Sequence, residues 1–467
     1  MQYLHRLLPT AFLLSSFFVL QGATPDFDTA HRETVTNLQR LVQIDTTNPP
    51  GNESKAAHFL KAILDREGIA SEIVERVPGR GNLIARLKGN GKKRPILLMG
   101  HTDVVGVERE KWTVEPFAGI IQGDYMYGRG VADDKGMTVT CLQVLLLLKR
   151  AGAALDRDVI FLAEAGEESS TGVGINFVIE QHWEKIACEF ALNEGGGFRL
   201  ENGEVKYLSV SPTEKVPRTL LLRAKGTSGH GSKPRLDNAI VHLSAAVAKV
   251  GAWQSPMRLN ETTREYFKRL ATLSTGEKAF WYSHVEDPQH SAKIQETLRA
   301  QDITRNSMLR TSISPNIIKG GFRNNVIPGD AEATLDVRAL PDEDMEAFLS
   351  TLRAVIDDPA VEIIKQWGED ARPVTPPSKL DTEMFLALER GQKRMFPKAI
   401  TLPTMLTGAT DSAQLRAKGV QCYGIGSLAT EEDANRIHGN DERLSISGLR
   451  QFLEFLYGVV VDVAAAR

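Results

Sequence analysis

Apolar positions change their spacing several times along the chain, and each change marks an element. Helical spacing over 30–42 predicts a first helix. It returns over 54–67, with Ser54 as the candidate cap. Strand-like runs come next, at 71–76, 82–88 and 95–99. A nearly all-apolar helix is predicted over 136–150, then a strand over 159–163, a helix over 174–185 and a strand over 190–192. Strands and helices alternate, which predicts an α/β sheet with helices on both faces.

Past residue 210 the rhythm differs. Strands at 219–224, 313–319, 331–337 and 361–366 flank helices at 238–250 and 345–356. The order β-α-β-β-α-β is ferredoxin-like. Between the first helix and the second strand lies a long segment, 251–310, rich in aromatics: Tyr266, Phe267, Phe280, Trp281 and Tyr282. It is expected to be helical. The α/β pattern resumes with a helix over 382–395, a strand over 419–425 and a last helix from Ser447. The implied division is a first domain in two parts, 24–212 and 373–467, interrupted by an inserted unit over 213–372.

Composition narrows this picture. The 467 residues exceed the size at which one core stops growing, so two domains are expected. A net charge of -3 without blocks of like charge argues against a nucleic-acid partner. His5 and Arg6 precede an apolar run over 7–20, and small Gly22 and Ala23 come after it. This predicts a secretory signal over 1–23, a secreted or periplasmic location, and no stable membrane anchor once the signal is removed. Cys141, Cys188 and Cys422 are the only cysteines, an odd number without a CxxC pair, so no disulfide framework is expected. Cys141, inside an apolar helix, reads as a small buried hydrophobe.

The chemistry-bearing residues gather at predicted strand ends and in loops. The strand at 95–99 runs into Gly100-His101-Thr102-Asp103. The carboxyl end of a strand is where α/β sheets hold ligands. Asp103 could fix the tautomer of His101 for metal binding. Next comes Gly128-Arg129-Gly130 and, three residues on, the pair Asp133-Asp134. The strand at 159–163 leads to Glu167-Glu168, and the strand at 190–192 to Glu194. Of two adjacent carboxylates, one can ligate a metal while the other stays free as a base. His438 supplies a second imidazole. Each fragment alone also fits a bland role, as a capped turn, an acidic helix start or a solvated loop. Together, two histidines and several carboxylates suit a pair of divalent ions, zinc among them.

In order, HTD, GRGxxDDKG, GEES, NEGG and IHG resemble the zinc aminoacylase/carboxypeptidase metallopeptidase family, which includes carboxypeptidases G and S, acetylornithine deacetylase and succinyl-diaminopimelate desuccinylase. The resemblance spans nearly the whole mature chain, through Asp45-Thr-Thr-Asn-Pro-Pro-Gly, Gly226-Thr-Ser-Gly-His230-Gly-Ser, Asn325-Val-Ile-Pro-Gly and Gly408-Ala-Thr-Asp411. It implies an α/β mixed-sheet catalytic domain with an inserted ferredoxin-like α+β lid. It implies two zinc ions per subunit, with cobalt or manganese as possible substitutes. His101, Asp133 and Glu194 would hold one ion. Asp133, Glu168 and His438 would hold the other, Asp133 bridging. Glu167 would be the general base for an attacking metal-bound hydroxide, Asp103 would orient His101, and His230 of the lid would polarise the scissile carbonyl. Asn325 and Arg338 would bind the substrate's carbonyl or carboxylate. A cis peptide at Asp133–Asp134 is also implied, as is a possible homodimer through the lid.

The expected reaction is cleavage of an amide or peptide bond beside a free carboxylate, in a small peptide or an N-acyl amino acid. Glu194 and the long 251–310 segment lean towards carboxypeptidases and hydrolases of N-fatty-acyl amino acids. A biosynthetic N-deacylase is the alternative, disfavoured by the signal, since those pathways are cytoplasmic. A non-catalytic zinc-binding protein is the other, disfavoured by the intact Glu167. For the aromatics of 251–310 two roles stay open. They pack the segment onto its own domain, or they line an apolar cleft for a bulky acyl group.

Overall fold

The computed structural model describes residues 25–368 and 371–466; the expected signal lies outside the described residues. Two separate sheets organise the chain. The larger has ten strands and is mixed. At its centre Ile96–His101 pairs in parallel with both Val159–Glu164 and Phe190–Asn193, and Phe190–Asn193 pairs in parallel with Gln421–Gly424. Gly81–Leu87 and Ser71–Glu75 extend one side as antiparallel strands. Parallel strands are buried on both faces, and the sequence shows it: all six residues of Ile96–His101 and all six of Val159–Glu164 are buried. The main core lies on one face, under helices Phe27–Val42, Glu53–Arg66, Lys135–Arg150, Glu383–Met395 and Ile446–Ala464. A smaller core covers the other face, under helix Ile175–Ile186. Among the described residues no helix is long and apolar enough to cross a membrane.

The chain leaves the large sheet at the end of strand Glu204–Glu214 and enters the small one at Val216–Pro217. That five-stranded antiparallel sheet places Ser312–Gly320, Asp330–Ala339, Leu220–Lys225 and Val361–Lys365 side by side. This is the ferredoxin-like order, with helices Ala239–Ala252 and Met345–Ile356 over one core. The fold is therefore a mixed α/β sheet domain with an inserted α+β lid.

Three local features differ from the sequence reading. Helix Glu53–Arg66 starts after Asn52, and Ser54 lies inside its first turn, bonded to Glu75 instead of capping. Strands Gly197–Glu201, Glu204–Glu214 and Ile400–Leu406 had no legible pattern. In the second of these Ser211, Thr213 and Glu214 are buried polar residues, so apolar alternation breaks down. The third carries Pro403 at a register shift. The third difference concerns the long segment. It is helical, as Glu261–Leu273, Gly276–Ser283, Ser291–Gln301 and Ile303–Met308. Tyr266, Phe267 and Tyr282 are buried with Leu340 of the lid and with Leu402 and Met405 of the large sheet. Arg269 adds bonds to Glu389 and to the Thr401 carbonyl. These three rings are buried, and they do more than pack the segment on its own domain. They fasten it across both sheets. Phe280 alone of the five is exposed, stacked on His284.

Candidate metal and catalytic centre

Three neighbouring parallel strands end beside one another at His101, Glu164 and Asn193, so the loops leaving them meet. Gly100 permits a close approach here. A Cβ on it would lie 2.6 Å from the Asp134 carboxylate and from Thr138 Oγ1, at the start of helix Lys135–Arg150. The Asp133–Asp134 peptide is cis, as the resemblance implies.

Two groups of donor atoms converge. His101, Asp133 and Glu194 form one, and Asp133, Glu168 and His438 the other, each with its ligand atoms within 4.8 Å of one another. Asp133 belongs to both through different oxygens. Its Oδ1 lies 3.0 Å from His101 Nε2, and its Oδ2 lies 2.9 Å from His438 Nε2. Glu168 Oε1 is 3.1 Å from His438 Nε2, and Glu194 Oε1 is 4.0 Å from His101 Nε2.

The charges need a cation. Burial and the neighbouring Asp133 and Glu167 push the Glu194 carboxyl well above its usual range. Burial likewise raises Asp134 and Glu167, although His101 and Arg372 pull Glu167 back. His438 is pushed up to about 10 by its bonds to Asp133 and Glu168, and its partial burial opposes this. For His101, burial favours the neutral ring, but bonds to Asp103 and Asp133 outweigh it and the net shift is upward. Each imidazole is thus held between carboxylates that favour a positive charge at its Nε2. A divalent ion meets that demand, and the N/O donor set fits zinc.

The supports of these ligands explain their placing. His101 Nδ1 lies 3.0 Å from the Asp103 carbonyl and 3.5 Å from its carboxylate. The Asp103 carboxylate instead accepts the backbone N–H of both Glu167 and Glu168 and a bond from Asn48. It therefore fixes the turn that carries Glu167 and Glu168, while its carbonyl sets the His101 ring. Glu442, wholly buried, accepts the N–H groups of Gly130, Ala132 and Asp133. Arg129 pairs with Glu442 at 2.5 Å and donates to the carbonyls of His438 and Gly439. One ion pair thus aligns Asp133 with a histidine some three hundred positions away in the chain. His438 itself adopts a left-handed φ of 61°.

Glu167 makes no contact with either imidazole. Its Oε1 receives a 2.6 Å bond from Arg372, which lies 3.7 Å from buried Asp411. Sequence reasoning missed Arg372 and gave Asp411 no role, although Asp411 closes the Gly408-Ala-Thr-Asp411 motif. It also missed the pairing of Arg129 with Glu442.

The lid residues are placed differently. His230 is exposed on a short strand, its Nδ1 bonded to Ser232. The Asn325 carbonyl accepts from Gly231, which brings the two loops together. Arg338 is paired with Asp336 on its own strand at 2.8 Å. Among the described residues none of the three bonds to the converging set.

A buried carboxylate beside two candidate cation positions, at the carboxyl ends of an α/β sheet, suits a metal-dependent hydrolase. The family profile of peptidase family M20/M25/M40 matches residues 97–462, and the chain belongs to that family. It hydrolyses amide bonds. The human N-fatty-acyl-amino acid synthase/hydrolase PM20D1 is 28% identical over 444 residues, covering 91% of this chain and 86% of that one. The M20 family metallo-carboxypeptidase Sso-CP2 of Sulfolobus solfataricus superposes with a TM-score of 0.69 at 18% identity, over 92% of this chain and 98% of that one. The Bacillus subtilis protein YXEP, a dinuclear metal binding peptidase, superposes at 0.58 and 16% identity, over 93% of this chain and 99% of that one.

Proposed function

We propose that this protein is a two-zinc hydrolase that releases an amino acid with a free carboxylate from an N-acyl amino acid or a small peptide. The observation that carries this reading is Asp133, which offers one oxygen to the His101 group and the other to the His438 group, with Glu167 close by and bound to neither imidazole. His101, Asp133 and Glu194 would hold one ion, and Asp133, Glu168 and His438 the second. Two such ions would supply Lewis acidity and make a water easier to deprotonate. Glu167 takes the proton from the attacking water and returns it to the leaving nitrogen. Asp103 keeps that base in place by holding its backbone. His230 polarises the scissile carbonyl when the lid approaches, and Asn325 and Arg338 bind the substrate's polar end. Arg338 must then exchange Asp336 for the substrate.

We place the protein outside the cytoplasm on the strength of the signal-like start, and we expect a homodimer through the lid. Leu236, Ile240, Val241, Ile317, Ile318 and Phe322 are exposed apolar residues of the lid, where a second copy would cover them. Likeness to PM20D1 favours N-acyl amino acids over peptides as substrates. The test is a panel of N-acyl amino acids and dipeptides with the zinc-loaded protein, alongside its zinc content. Hydrolysis with two zinc ions per chain supports the reading. A protein that holds zinc but turns over no member of the panel would overturn it.

A further inference from the structure

Arg372 lies where the chain returns from the lid to the large sheet, and no motif of the sequence marks it. Its Nη2 donates to Glu167 Oε1 at 2.6 Å. The same nitrogen is 3.7 Å from Asp411, which is fully buried. The Arg372 carbonyl accepts a 3.0 Å bond from Arg218, on the chain's outward passage into the lid. The guanidinium of Arg218 sits 5.7 Å from the ring centre of Trp367. Both passages between the domains therefore meet at the residue that grips the base.

The geometry points to Arg372 as a positioning residue that holds the Glu167 carboxylate in its working orientation and ties that orientation to the lid connections. This inference rests on the function proposed above. Glu167 is fixed at two points, its backbone by Asp103 and its carboxylate by Arg372. With Oε1 engaged, Oε2 is the oxygen left to exchange a proton. The grip also answers an electrostatic hazard. A carboxylate beside two divalent ions is drawn to bind them, and a base that becomes a ligand no longer accepts a proton. A guanidinium anchored by Asp411 competes for the same oxygen and keeps it away. Arg372 bonds to none of the proposed ligands, so its effect passes through Glu167.

The experiment compares zinc-loaded wild type with Arg372→Ala, Arg372→Lys and Asp411→Asn on one N-acyl amino acid substrate. In Arg372→Ala kcat should fall about 100-fold with KM within about threefold, the pattern of a misplaced base and not of lost binding. Guanidinium ion added to that variant should restore at least about tenfold of the loss. Zinc competition with a chelator should show the ions held as tightly as in wild type or tighter, because a freed Glu167 adds a donor. Arg372→Lys and Asp411→Asn keep part of the grip and should lose only about tenfold. Arg218→Ala should lower kcat a few-fold and add nothing in the Arg372→Ala background, since both act through one contact. An Arg372→Ala kcat within about threefold of wild type, a loss confined to KM, or no response to guanidinium overturns the inference. If the wild type itself has no turnover, the proposed function fails first. If it turns over and the variants match it, only the role of Arg372 falls.

Discussion

In the large sheet, three strands end at one point and the loops beyond them converge as buried, mutually bonded groups. In the lid, His230 sits on a short strand, Asn325 in a loop and Arg338 on a long strand, each exposed or paired with a near neighbour. The candidate site in the large sheet is thus assembled in advance, while the three lid residues stand apart from it. The parallel sheet does this cheaply because strand ends are adjacent by construction. An antiparallel sheet with helices on one face offers no such meeting point, so the lid residues become useful only against a second surface. Under the proposed function that surface would be the large domain after closure, or the large domain of a second copy.

The contrast can be broken by mutation. The largest effect should come from the preassembled half. Glu167→Ala should lower kcat by roughly 10²–10⁴-fold while two zinc ions and the melting temperature are retained, measured by metal analysis and calorimetry. Near-normal turnover would remove Glu167 from the role of base. His230→Ala should cost roughly 10²–10³-fold in kcat, as for loss of an oxyanion donor, again with unchanged zinc. If instead zinc content drops, His230 is a ligand and the division between the two halves is wrong. The segment that joins the halves should matter for stability. Phe267→Ala, which empties a buried ring site shared with Leu402 and Met405, should cost about 3–5 kcal/mol in denaturant unfolding. It should leave the preference for acyl chain length alone, since the ring is fully buried.

The smallest effect lies at the junction itself. Lys215 sits between the two sheets, buried, donating to Ser307 and Ser312. Burial, helped by Arg338 and Arg310, pushes its amine down to about 7, while Asp336 and Glu343 oppose this. An unfolded lysine stays protonated to about pH 10.4. The folded state therefore resists a proton that the unfolded chain takes up, and the penalty is full below pH 7. Stability should rise modestly with pH from about 7 to about 10, and Lys215→Met should flatten that rise. A stability that falls over this range in wild type only would refute the assignment.

The legibility of each residue in the sequence depends on where its signal is stored. His101, Asp133, Glu168, Glu194 and His438 were legible because each comes after a strand or sits in a distinctive loop, and their order along the chain is informative. The lid's order of strands and helices was legible from period alone. Strand Glu204–Glu214 was not, because its buried Ser211 and Glu214 answer to partners brought by other segments, Gly195 for the first and Thr410 and Arg416 for the second. Arg372 was invisible for the same reason. A lone arginine in a Pro-rich stretch means nothing until Glu167 is placed beside it. Ser54 misled in the opposite direction: a good capping residue lost its place to Asn52 and turned to Glu75. The ring residues of the insert gave a true signal of burial but no hint of what they would be buried against.

The position of the lid within the chain also sets the order in which the large sheet can be completed. Strand Phe190–Asn193 pairs on one side with Ile96–His101, made earlier, and on the other with Gln421–Gly424, made only after the entire lid and strand Ile400–Leu406. At roughly 5–20 residues per second of synthesis, that wait is on the order of ten seconds or more. Through it the nascent chain carries an apolar sheet edge with unpaired amide and carbonyl groups, a ready template for a neighbouring chain. The ferredoxin-like unit, whose strands all come from one stretch, can close meanwhile. A newly made molecule therefore passes through a stage with a finished lid and an unfinished catalytic sheet, in which four of the five proposed ligand positions exist and His438 does not.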